Sequence, residues 1–119
     1  RQMCIRDRLY PASTPEIRNR RRKLTPETSD AFEAFSRAAF AEGNLSAKMK
    51  QIIAVAVAHV TQCPYCIEGH TKAAKRAGAT PEELMEAVWV AAEMRAGGAF
   101  AHSTIMLSAL DADHGHHKG

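Results

Sequence analysis

Apolar positions along this chain recur every three or four residues and nowhere alternate strictly with polar ones, which predicts helices and no sheet. Thr25-Pro26-Glu27-Thr28 reads as an N-cap with proline at the first helical position. It opens a helix bearing Phe32, Phe35, Ala39 and Phe40 and ending near Gly43-Asn44. A second helix starts near Ser46 and passes through Ile52, Ile53, Val55, Val57 and Val60 with almost no polar face, so central burial is expected. A third runs from the Cys63-Pro64 step to about Arg76, before Ala77-Gly78. Thr80-Pro81-Glu82-Glu83 repeats the cap, proline and acidic first turn, and begins a fourth helix with Leu84, Val88, Ala91 and Ala92 facing inward. Trp89 and Met94 read as core. Gly97-Gly98 is expected to break or tighten the chain before a last helix carrying Phe100, Ile105, Met106 and Leu110. The pattern predicts a compact all-α domain of about five helices, with no internal repeat.

Composition agrees with packed, alanine-rich helices: 45% of the residues are hydrophobic and only 6% aromatic, and 119 residues suffice for one core but not two. The opening octet, Arg-Gln-Met-Cys-Ile-Arg-Asp-Arg, reads as foreign to the domain, and Cys4 is discounted with it. Setting aside its three arginines and one aspartate lowers the net charge from +3 to +1, which removes most of the case for a polyanionic partner. Arg18-Asn19-Arg20-Arg21-Arg22-Lys23 is a local cationic run with no aromatic or base-reading company, so it reads as a solvated linker and no nucleic acid is expected. The organisation expected is a non-native or disordered leader and basic linker over 1–24, a helical domain over 25–111, and a disordered His-rich tail over 112–119. No apolar run approaches the roughly 18 residues of a membrane span and no secretory signal is visible, so a cytoplasmic protein with no membrane partner is expected.

Chemistry enters at Cys63-Pro64-Tyr65-Cys66, with His70 four residues past the second thiol. On a helix these three share a face. Cys63 reads as the cap of the third helix and Cys66 lies in its first turn, where unpaired N–H groups and the positive end of the helix dipole favour a thiolate. A free thiol has a pKa of about 8.5 and sites of this kind reach roughly 3.5 to 7.5, so the motif supplies a nucleophile at neutral pH. In the cytoplasm such a pair is more often catalytic or metal-binding than a staple. The competing account is structural zinc, with His59 or His102 as a fourth ligand. It lacks the second ligand pair usual in zinc modules, so no metal and no cofactor are expected. His59 otherwise reads as a satisfied core histidine, and His102 as a pocket or interface group.

From 45 to about 110 the ordered string resembles the carboxymuconolactone decarboxylase family, and within it the AhpD-like alkylhydroperoxidase branch. The resemblance lies in Leu45-Ser46-Ala47-Lys48, in residues 52–59, in the motif through Ala74, and in Gly78-Ala79-Thr80-Pro81-Glu82-Glu83. It implies a helical fold and a peroxidatic dithiol that reduces a hydroperoxide to an alcohol, closes a Cys63–Cys66 disulfide, and is reset by an external thiol or dithiol reductant. It also implies that Cys66 attacks, that Cys63 resolves, that His70 is base or thiolate partner, and that copies assemble as trimers or hexamers. The chain departs from the family at Gln51. A relay glutamate commonly stands there, twelve residues before the first motif cysteine, and an amide does not exchange a proton as a carboxylate does. Tyr65 is a second departure, since some peroxidatic members carry histidine between the cysteines. The alternatives are a lyase acting on a carboxylated lactone, which needs cationic groups and no dithiol, and a non-enzymatic redox-sensing oligomer.

Overall fold

The computed structural model describes residues 9–118, with side chains to position 112; the opening octet and Cys4 lie outside the described residues. Five helices and no strand are found among them: α1 (Pro15–Leu24), α2 (Pro26–Phe40), α3 (Ala47–Thr61), α4 (Pro64–Arg76) and α5 (Pro81–Lys118). The contacts divide the chain into two compact units, Arg1–Ser46 and Ala47–Gly119, where the sequence reading expected one domain over 25–111.

In the first unit the cationic run forms α1 in place of the linker expected. Thr14 caps it, its Oγ1 accepting from the Ile17 N–H at 3.2 Å, and Arg21, Arg22 and Lys23 occupy the last turn, where cations complement the helix dipole. The run is solvated, as expected. Arg22 also pairs with Asp30 of α2 at 2.8 Å. Thr25 and Pro26 start α2 at the expected place, but the Thr25 side chain makes no capping bond. Phe32 and Phe35 pack on each other at 6.3 Å between ring centroids and are otherwise exposed, while Phe40 is half-buried.

In the second unit α3 packs against both α4 and α5. Val55, Ala74 and Ala79 form its buried centre, with Ile52 and Leu84 packed on them. Alanine at α4 positions 73 and 74 lets the helices approach closely. The joints are local motifs. At the end of α4 the Gly78 N–H bonds Lys75 O and the Ala79 N–H bonds Ala74 O, at 3.0 and 2.9 Å, with Gly78 at φ 99°. This is the two-bond helix terminus that glycine accommodates without the Cβ penalty. Thr80 and Glu83 then satisfy each other's backbone N–H groups at 3.1 and 2.9 Å, the reciprocal capping box that the sequence announces.

Three expectations are corrected by the packing. α3 is not buried all round: the stripe of Ile52, Val55 and Ala58 faces its neighbours, whereas Ile53, Val57 and Val60, four and three residues apart, form a second apolar stripe exposed to solvent. On α5, Leu84, Val88 and Ala91 turn inward as expected, but Ala92 is exposed, and Trp89 and Met94 are about two-thirds exposed instead of core. Finally, Gly97-Gly98 interrupts nothing. Each glycine costs a helix about 1 kcal/mol, and without a proline the backbone hydrogen bonds continue through both. The fourth and fifth expected helices are therefore one, and its backbone runs to Lys118 where a disordered tail was expected from 112.

Candidate redox site

The site sits at the joint between α3 and α4. The α3 helix ends at Thr61 and the Cys63 N–H returns to Ala58 O at 3.2 Å, which forces Gln62 into the left-handed region at φ 59°. A residue with a Cβ pays roughly 1–2 kcal/mol for that conformation. Arg95 reaches back from α5 and donates from Nη1 to Val60 O at 2.7 Å, placing a guanidinium on carbonyls that the helix itself leaves unpaired. Sequence reasoning missed both residues. Gln62 carries no glycine or asparagine signal, and Arg95 lies 35 positions from its acceptor.

Cys63 is the N-cap of α4, as the sequence predicts, in extended backbone with Pro64 at the first helical position. Its Sγ takes the role that an oxygen normally plays in a cap, accepting from the Cys66 N–H at 3.4 Å. Both thiols are unlinked and half-buried. They perturb each other in opposite senses. A hydrogen bond from the Cys66 thiol, then the Cys66 and Tyr65 backbone N–H groups, hold Cys63 below the ordinary thiol range against a smaller cost of burial. Cys66 is pushed up, first because its proton is engaged by Cys63, then by burial and by the neighbouring negative charge. The two thiols are thus shifted in opposite directions, Cys63 downward and Cys66 upward.

His70 lies one turn beyond Cys66 on α4 and is half-buried. Its Nδ1 bonds Gln51 Oε1 of α3 at 2.8 Å. An amide oxygen only accepts, so His70 Nδ1 is the donor of this bond. Gln51 therefore orients the imidazole without being able to take its proton. Glu68 is exposed and pairs with Lys72 at 3.0 Å, one turn along α4.

Two further histidines are described. His59 Nδ1 donates to Val55 O at 2.7 Å, the satisfied role expected of it, and His102 is exposed on α5. Among the described residues no three His, Cys, Asp or Glu side chains converge as a metal-binding group. Nor is any described helix long and apolar enough to cross a membrane.

Comparison with known proteins agrees with this architecture. The family model for the carboxymuconolactone decarboxylase family matches residues 26–109. An uncharacterized protein in the cox locus of Paracoccus denitrificans is 65% identical over 82 residues, covering 69% of this chain and 74% of that protein. An uncharacterized protein of Cupriavidus necator is 36% identical over 87 residues, covering 73% and 77%. Among solved structures, a protein from Methanobacterium thermoautotrophicum superposes with a TM-score of 0.67 at 36% identity, covering 71% of this chain and 94% of that one. The apo form of a carboxymuconolactone decarboxylase family protein from Legionella pneumophila gives 0.61, also at 36% identity, covering 76% and 80%. With a helical fold shared at this identity and the family match spanning most of its length, the chain belongs to the carboxymuconolactone decarboxylase family.

Proposed function

We propose that this protein is an AhpD-like, thiol-dependent reductase that acts on hydroperoxides or disulfides through the Cys63/Cys66 pair, with His70 assisting proton transfer. The observation that carries the reading is the pair itself: a sulfur serving as helix cap, hydrogen-bonded to a second thiol one turn on, with an oriented imidazole on the same helix. A thiol whose acidity is shifted below the usual pKa range favours the thiolate that nucleophilic sulfur chemistry needs.

Toward a hydroperoxide, one thiolate attacks the O–O bond, becomes a sulfenic acid and releases the alcohol. The second thiol condenses with it, water leaves, and a Cys63–Cys66 disulfide remains. The two electrons come from the dithiol, and an external thiol or dithiol restores it by exchange. A lactone decarboxylase would have no use for this dithiol, which places that reading second. Assembly of copies is part of the same proposal. Ile53, Val57, Trp89, Val90 and Met94 are exposed apolar side chains on the second unit, the kind of surface that contacts between copies cover.

The test is intact mass and peptide mapping after reduced, chelator-washed protein meets one equivalent of an alkyl hydroperoxide. Loss of two hydrogens with a Cys63–Cys66 link is the expected result. Inert thiols would refute the redox assignment.

A further inference from the structure

We propose that α1 is an interfacial helix whose basic, amphipathic face docks this protein peripherally on an anionic lipid bilayer. The inference does not rest on the redox reading, because α1 lies outside residues 26–109, the stretch that the family model matches.

Charge is the first observation. Arg18, Arg20, Arg21, Arg22 and Lys23 stand against the single Glu16, so α1 carries +4 over ten residues. The whole 119-residue chain carries only +3, which leaves everything outside this helix slightly acidic. The positive excess is therefore concentrated on one element and not spread over the surface. Arg22 pairs with Asp30 of α2, and Arg18 donates from Nη1 to Ser13 O at 2.9 Å. Arg20, Arg21 and Lys23 make no ion pair among the described residues.

The second observation is where the helix puts its apolar side chains. At 3.6 residues per turn Ile17 and Leu24, seven apart, fall within about 20° of each other, with Arg20 and Arg21 about 50° to either side. Arg22, which meets Asp30 of α2, falls roughly opposite. Ile17 is 41% exposed and Leu24 75%, and no residue of α1 is buried. Leu9 and Tyr10, upstream of the Thr14 cap, are further exposed apolar side chains. An apolar strip bracketed by arginines is the arrangement of helices that lie in a membrane interface. The strip enters the acyl boundary while the guanidinium groups reach headgroup phosphates on their aliphatic stems. A solvated linker, which is what the sequence reading expects here with no membrane partner, would scatter these side chains; the helix aligns them.

Charge complementarity selects the occupant. So few apolar side chains do not hold an uncharged bilayer, and anionic headgroups have to supply the attraction. Clusters of roughly four to eight cations on an amphipathic helix are of the size that does so. A nucleic acid offers phosphates too, but no apolar layer, and would leave Ile17 and Leu24 in water. At ten residues α1 is far too short to span the bilayer, so it lies on the surface.

Co-sedimentation of the full-length protein with vesicles tests this, using phosphatidylcholine alone and phosphatidylcholine with about 30% phosphatidylglycerol. The expected result is pelleting with the anionic vesicles only, lost at about 1 M salt, where the Debye length falls to about 3 Å. Each cation near such a surface contributes about fivefold to partitioning, so the Arg20→Gln, Arg21→Gln double variant should bind about 25-fold more weakly. Glutamine and arginine have similar helix propensities, so this change does not act by unfolding α1. Leu24→Ser, at the last helical residue, should weaken binding at least about threefold. Arg37→Gln removes an exposed cation of α2 that already pairs with Glu33, and should leave binding within about twofold. No pelleting, equal pelleting with neutral vesicles, or an equal loss in Arg37→Gln each overturns the proposal. So does a Leu24→Ser variant that binds anionic vesicles as wild type does while both proteins also bind a DNA duplex, a pattern that makes the arginines a general polyanion site.

Discussion

Shortening Val55 to alanine tests whether the α3 stripe facing α4 and α5 is what holds the site in register. Val55 is 2% exposed and sits against Ala74, at 0%, and Ala79, at 7%. Removing two buried methyl groups forfeits about 1.6 kcal/mol of transfer free energy at about 0.8 kcal/mol each. The vacated space, roughly 40–50 Å³, adds about 1 kcal/mol at about 24 cal/mol per Å³ where Ile52 and Leu84, packed on the same centre, stay in place. The expected loss for Val55→Ala is therefore about 2.5 kcal/mol, a large share of the roughly 5–15 kcal/mol typical of a domain. Val57, two positions along the same helix, is 51% exposed, and Val57→Ala should cost below about 1 kcal/mol because it opens no cavity. Urea denaturation of both variants at equal slope gives the comparison directly. A Val55→Ala loss within about 0.5 kcal/mol of zero would refute the packing argument. If Val57→Ala were equally costly with a midpoint independent of protein concentration, the assignment of stripes would be wrong. A Val57→Ala loss that grows with protein concentration would instead show that another copy covers the second stripe.

Two further outcomes follow from the site. The pH dependence of stability has two arms of opposite sign. Cys63 is held below its unfolded-state value, so its contribution is present above that value and disappears as pH falls through the folded one. Cys66 is raised, so its contribution is present below the unfolded-state value and disappears as pH rises through the folded one. The singly protonated pair is thus the most favoured, and urea midpoints of reduced protein should pass through a maximum in the window between the two folded-state transitions. A Cys63→Ser, Cys66→Ser double variant should lack that maximum, and its persistence would refute the opposed shifts. Gln51→Glu puts a proton-exchanging group 2.8 Å from His70 Nδ1 and should speed alkyl hydroperoxide turnover by about tenfold or more, in the range general acid catalysis contributes. An unchanged rate measured with excess dithiol would show that proton supply does not limit the reaction.

The sequence by itself determined what local chemistry dictates. Proline at the first helical position after Cys63 and after Thr80 starts α4 and α5, the Thr80 and Glu83 spacing closes a capping box, and Gly78 takes the positive φ that ends α4. Cys63 as cap, with Cys66 and His70 following on the same helix, belongs to that class too, because partners three or four residues apart meet wherever the helix forms. Sequence could not say which apolar stripe of α3 or α5 faces inward, since Val55 and Val57 are equally apolar and only the neighbouring helices distinguish them. It also could not say that the helix would continue through Gly97-Gly98, where the local cost is outweighed by hydrogen bonds on both sides. Tertiary structure alone brought Gln51 to His70 across 19 residues and Arg95 to Val60 across 35, and bent Gln62 into a conformation its side chain disfavours. The opposite shifts of the two thiols likewise arise in three dimensions, because they depend on which N–H points at which sulfur, and here the Cys66 N–H points at Cys63.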